Sequence, residues 1–96
     1  MDTIIQFSQM AIRIIQAQAM VIGPLAWDEA RKVSGFHIIN QNKGDISFDG
    51  DAKEVLNRLV VRYEKLFGKL SDEVCREAVQ DITAKMPQEE IPSSLK

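Results

Sequence analysis

With 96 residues, the chain has material for one domain and one hydrophobic core, near the lower end of the sizes that fold without a metal, a disulfide or a partner. Its 45% apolar and 27% charged residues exclude a disordered chain. Twelve basic against fourteen acidic side chains, a net charge of −2, exclude a general attraction to phosphate backbones or anionic membranes, so nucleic-acid binding is disfavoured. The single cysteine, Cys75, has no partner within the chain, which favours a cytoplasmic setting over a secreted one.

The first predicted element is a helix from about Thr3 to Ile22, stopped by Gly23 and Pro24. Its polar residues Gln6, Gln9, Arg13 and Gln16 recur every three or four positions and draw one narrow polar stripe. Ile4, Ile5, Phe7, Met10, Ala11, Ile12, Ile14, Ile15, Ala17, Ala19, Val21 and Ile22 cover most of the remaining circumference, far more than a surface helix needs. The run is neither a signal peptide nor a membrane span. Asp2 precedes it where a leader wants cations, and Arg13 among glutamines would cost about 2.5–3.5 kcal/mol at mid-bilayer.

Pro24 suits the first position of a second, short helix running to about Ser34, with Gly35 as its stop and Trp27 near the joint between the two helices. Phe36-His37-Ile38-Ile39 and Ile46-Ser47-Phe48 flank the turn-rich Asn40-Gln41-Asn42-Lys43-Gly44, which predicts a β-hairpin at about 36–48. An isolated hairpin is marginal in water, so it must lie on the helices or pair with another copy. Asp51 and Glu54 form a capping box that opens the third helix, whose inner face is Leu56, Leu59, Val60, Tyr63, Leu66 and Phe67, with Glu54 and Arg58 paired outside and Gly68 as the stop. Ser71 is the expected cap of the fourth helix, with Leu70 stapled against Cys75 and Val74, Cys75, Ala78, Val79, Ile82 and Met86 turned inward. Pro87 ends it, and 88–96 lack periodicity and are expected to be a mobile tail. The fold class is therefore mainly α, leaning to α+β: a single helical domain over 1–87 with four helices and a central hairpin between the second and third.

Candidate chemistry is sparse. Asp45-x-Ser47-x-Asp49-Gly50-Asp51 begins like a calcium loop, but its twelfth position is Leu56 rather than glutamate and no helix precedes it. A hairpin arm running into a helix cap explains the same residues. His37 is the only histidine, and Cys75 falls on an inner helix face where a thiol is inert. Lys53, Arg58, Arg62, Lys65 and Lys69 make the third helix and its exit basic, but Glu54 and Glu64 interrupt them, as on a solvated face. No catalytic, cofactor-binding or metal-ligating residue is nominated, and no cofactor is expected.

Function is read from the apolar surplus of the first helix. A second copy is its natural cover, since a two-fold interface pairs identical patches. The expectation is a non-catalytic, homodimeric interaction or regulatory module, with Ile5, Phe7, Ile12, Ile15, Ala19 and Ile22 as the interface to itself or to another protein. Ile5-Ile12-Ala19 and Ile4-Ala11-Gln18 are rival seams. The alternative is a small-molecule-binding, sensor-like domain with an apolar pocket lined by the first helix and closed by Trp27, Phe36 and His37. A small enzyme or a nucleic-acid-binding accessory protein comes third.

Overall fold

The computed structural model describes residues 3–96. Met1, Asp2 and the side chains of Thr3 and Ile4 lie outside the described residues, and with them the Asp2 and Ile4 ends of the readings above. Among the described residues the elements run α1 (Thr3–Ile22), α2 (Leu25–Ala30), β1 (Phe36–Asn40), β2 (Asp45–Phe48), α3 (Ala52–Phe67) and α4 (Lys69–Thr83), followed by 3₁₀ turns at Gln88–Glu90 and Ser93–Leu95. The domain is mainly α with one two-stranded antiparallel hairpin between α2 and α3, as the periodicities predict. No described helix is long and apolar enough to cross a membrane.

Helix α1 is the hub, packing against α4, α2 and α3. Met10, Ala11, Ile14 and Ile15 at its middle are wholly buried against Leu56, Leu59, Val60 and Tyr63 of α3 and Cys75 and Val79 of α4 in one core cluster. Gln9, Arg13 and Gln16 face solvent, as the polar stripe requires. Arg13 donates to both carboxylate oxygens of Asp81 on α4, while Gln18 reaches Ser71 and Cys75 near the other end of α4. The two helices therefore run antiparallel.

In the hairpin, Phe36 pairs with Phe48, His37 with Ser47 and Ile38 with Ile46, the register shifts between Ile38 and Asn40, and strand alternation puts His37 and Ile39 on the outer face. The sheet does lie on the helices: Phe36 is core, Ile38, Ile46 and Phe48 pack against it, and the Phe36 and Phe48 rings sit 5.7 Å apart. Gly35 allows this. Its φ is +84°, and a Cβ there would fall 2.9 Å from both the Asp49 carbonyl and Val55 Cγ2, so only glycine lets the hairpin's two feet close beside α3.

Four local expectations need correction. Helix α2 is six residues long rather than eleven, because Arg31–Gly35 run on as turns. Asp51 caps α3 by accepting from the Lys53 amide at 3.0 Å rather than that of Glu54, which is instead 3.7 Å from Arg58. Helix α4 starts at Lys69, directly after Gly68 (φ +85°), so Ser71 lies inside it and caps nothing, and Leu70 points to solvent instead of stapling Cys75. The segment after Pro87 is docked: Ile91, Pro92 and Leu95 are buried. The Asn57 side-chain carbonyl accepts from the Ser94 amide at 3.0 Å, and Lys53 Nζ donates to the Glu89 carbonyl. Three apolar residues spaced over five positions suffice to hold a segment that has no helical or strand period to reveal it.

Candidate interaction surface

The surface is built where four helix termini meet. Gly23 ends α1 with its amide bonded to the Ala19 carbonyl at 2.9 Å, and Pro24 starts α2 at once. Gly68 ends α3 with its amide on the Glu64 carbonyl at 2.8 Å, and α4 begins at the next residue. The two junctions are held side by side by buried polar contacts. Gln18 is 1% exposed, and its Nε2 donates to Ser71 Oγ at 2.8 Å, to the Ser71 carbonyl at 3.1 Å and to Cys75 Sγ at 3.3 Å, tying α1 to α4. Tyr63 Oη donates to the Ala26 carbonyl at 2.6 Å, tying α3 to α2. A buried amide or phenol left without partners would cost about 1–3 kcal/mol, so these contacts define one arrangement of the four termini.

Burial pushes the Cys75 thiol up to about 11 against a lesser opposing pull from the Gln18 hydrogen bond, and it raises Tyr63 as well. Both groups stay neutral, and the thiol is a packing element rather than a nucleophile. Beside them Glu29, almost fully buried, accepts from Arg62 Nε at 2.9 Å and Nη2 at 2.7 Å and from Lys32 at 3.2 Å. The Arg62 and Lys32 contacts hold its carboxyl below the usual carboxylate range against the opposing effect of desolvation.

Around this polar scaffold the outer surface is aliphatic. Met20 (89% exposed), Val21 (68%) and Leu25 flank Gly23, and Leu66 and Leu70 (75%) flank Gly68; these are five of the seven exposed large apolar side chains among the described residues, the others being Ile5 and Ile39. Apolar side chains exposed together make this end a candidate contact surface, whereas singly scattered ones need no explanation.

The interface residues expected from sequence are only partly free. Phe7 and Ile15 are buried in the chain's own core, and Ile12, Ala19 and Ile22 are half-buried against it, Ile12 under the hairpin turn where its side chain lies 3.8 Å from a Cβ built on Gly44. Ile5 is exposed at the far end of α1. Ala11 and Gln18 of the rival seam are buried. The residues proposed to close a pocket do not converge: Trp27 and Phe36 are core, and His37 faces outward with Nε2 2.6 Å from Asp49 Oδ2. A cavity of about 500 Å³ lies elsewhere, lined chiefly by Phe7, Ile46, Phe48 and Ala52 with Ser8 and Ser47. Asp45, Ser47, Asp49 and Asp51 form no metal cluster; no group of three or more His, Cys, Asp or Glu that could hold one occurs among the described residues. Comparison of the chain with family models, curated proteins and solved structures returns no match.

Of the exposed aliphatic group, only Val21 belongs to the apolar surplus read from the first helix. Leu66 and Leu70 were assigned to inward positions. The signal that would have found them is an apolar residue on both sides of each helix-stopping glycine, Val21-Ile22-Gly23-Pro24-Leu25 and Leu66-Phe67-Gly68-Lys69-Leu70. A residue so close to a helix end has few neighbours to cover it.

Proposed function

We propose that the chain is a non-catalytic, homodimeric interaction module with a regulatory role, engaging its partner through the aliphatic surface at the α1/α2 and α3/α4 junctions. The observation that carries the reading is the concentration of Met20, Val21, Leu25, Leu66 and Leu70 at helix ends fixed by internal hydrogen bonds. A rigid apolar patch binds without the entropy cost of ordering itself. The group differs from the one nominated from sequence, because the middle of α1 spends its apolar side chains inside the chain. Sedimentation equilibrium tests the proposal. A mass near twice 10.8 kDa at micromolar concentration is expected, and a monomer up to millimolar concentration would sink it.

A small-molecule reading has one observation in its favour, the apolar cavity between α1, β2 and the start of α3, whose size falls in the ligand-pocket range. Thermal-shift measurements with small apolar compounds check it: a concentration-dependent rise in Tm that Phe48→Ala abolishes supports it, and no rise with any compound rejects it.

A further inference from the structure

We infer that the free edge of β2 is a docking site for an extended peptide, which joins the hairpin as a third, antiparallel strand and carries an apolar-basic-apolar triplet. This surface is separate from the aliphatic helix ends, and the inference stands whether or not the chain dimerises.

The backbone fixes which groups are open. The Asp49 amide donates to the Gly35 carbonyl at 2.7 Å, and Phe36 faces Phe48 across the sheet. Hydrogen-bonded and non-bonded pairs alternate along an antiparallel ladder, so His37 and Ser47 bond to each other while Ile46 and Phe48 turn their backbone groups away from β1. The Phe36 amide has the matching phase: it leaves the sheet and donates to the Val33 carbonyl at 3.2 Å. The N–H and C=O groups of Ile46 and Phe48 therefore point off the open side of the two-stranded sheet, and none of them has a partner among the described residues.

The cavity of about 500 Å³ lies along that side. It borders Ile46, Ser47 and Phe48 in succession, together with Phe7 and Ser8 of α1, and touches no residue of β1. Side chains of a strand alternate between faces, so a space that borders three residues in a row borders the strand's edge rather than one face. A strand added there hydrogen-bonds the open groups of Ile46 and Phe48. Its residues opposite these two share their inner face, beside Phe7 and Ala52. Those two positions call for apolar side chains.

Charge selects the residue between them. Asp45, Ser47 and Asp49 share the outer face by alternation, and Asp49 Oδ2 is accordingly 2.6 Å from Nε2 of His37, the cross-strand neighbour of Ser47. A residue opposite Ser47 has both aspartates as diagonal neighbours, about 7–8 Å away and within reach of a long side chain. His37 is the only basic residue on the strands, and Asp45 enters no ion pair among the described residues. Of the lysines nearest in sequence, Lys43 borders a different cleft against α1 and Lys53 donates to the Glu89 carbonyl. Asp51 is the only charged residue lining the cavity. Arginine or lysine fits the middle position. A second copy does not: two β2 edges paired antiparallel about Ser47 would set Asp45 opposite Asp49 twice, and like charges directly opposite destabilise a sheet. A small apolar molecule would leave the open backbone groups unanswered.

The experiment titrates the isotopically labelled full chain with the peptide acetyl-Ser-Val-Arg-Val-Ser-amide and follows the backbone amides by NMR. The Ile46 and Phe48 amide protons should move downfield while that of Ser47 moves least, with a dissociation constant below about 1 mM. Methylating both valine nitrogens removes the donors and keeps the side chains, and should weaken binding about tenfold or more. Glutamate in place of the arginine should weaken it about fivefold. The double variant Asp45→Lys with Asp49→Lys, both exposed, should reverse that preference with a native circular-dichroism spectrum. No shift at millimolar peptide overturns the inference, and a small apolar compound that moves the same amides instead would assign the cavity to the small-molecule reading. Equal binding of the N-methylated peptide, or indifference of the natural chain to the exchange of arginine for glutamate, overturns it as well.

Discussion

The two halves of α1 handle nearly the same side chains in opposite ways. Around its middle, Met10, Ala11, Ile14 and Ile15 are sealed by α3 and α4, while in the last turn Met20 and Val21 stand in solvent. The difference is positional rather than chemical. A residue at mid-helix has neighbours on every side, whereas the last turn has run past the partners that begin or end beside it. Hydrophobicity alone does not separate a core residue from a contact residue; the distance to the helix stop does.

The comparison breaks most visibly under truncation. Ile14→Ala should cost about 2–5 kcal/mol in chemical denaturation, because it opens a cavity in a sealed layer. Val21→Ala should stay within about 0.5 kcal/mol under conditions that keep the protein monomeric. Equal losses at the two sites would show that the last turn is covered after all.

A second test sits between the halves, at Gln18. Gln18→Ala should lose about 1–3 kcal/mol by stranding the polar groups of Ser71. Thiol labelling of Cys75 should stay slow after this change, because burial holds the thiol neutral up to about pH 11 and loss of the Gln18 hydrogen bond removes the contact that opposes that shift.

The docked segment provides a third. Leu95→Ala should cost about 2 kcal/mol in the same assay, whereas a free tail would register nothing.

The last test is pH. Glu29 and Asp81 both have lowered values, set first by Arg62 and Arg13 respectively. Their contributions are present above the ordinary carboxylate values of 4.5 and 3.8 and are lost as pH falls through the lower folded-state values. Cys75 has the opposite sign: stability should decline as pH rises from 9, its ordinary value, to about 11, because the unfolded chain releases the thiol proton first. Urea midpoints measured at acid and alkaline pH check both signs: Cys75→Ala should remove the decline that begins near pH 9 and leave a further decline above pH 10, where the unfolded chain releases the Tyr63 proton first.

Much of the fold was legible because it is written in local signals. Gly23 and Gly68 stop α1 and α3 where the sequence suggests, the turn 41–44 closes the hairpin, and the stripe Gln9-Arg13-Gln16 faces water. What was not legible depends on the distance between segments. Ser71 has the chemistry of a cap, but Gly68 lets α4 begin two residues before it, and its hydroxyl is then recruited by Gln18, fifty-three positions away. Ile91 and Leu95 have no period to betray burial; only the groove beside Asn57 assigns them a place. The candidate surface was half legible, since an apolar surplus in α1 is evident from composition but its division between core and exterior is not.

The anchors between α1 and α4 also fix the axial phase of the pair. Packed aliphatic layers alone act as a poor ruler, because Met10, Ile14 and Ile15 have similar volumes and a slip of one turn, about 5.4 Å, exchanges one such layer for another. Gln18 on Ser71 and Arg13 on Asp81 graduate that ruler at two marks. A slip that displaced both would bring a buried amide against hydrocarbon, so a nearly degenerate sliding coordinate is left with a single stop.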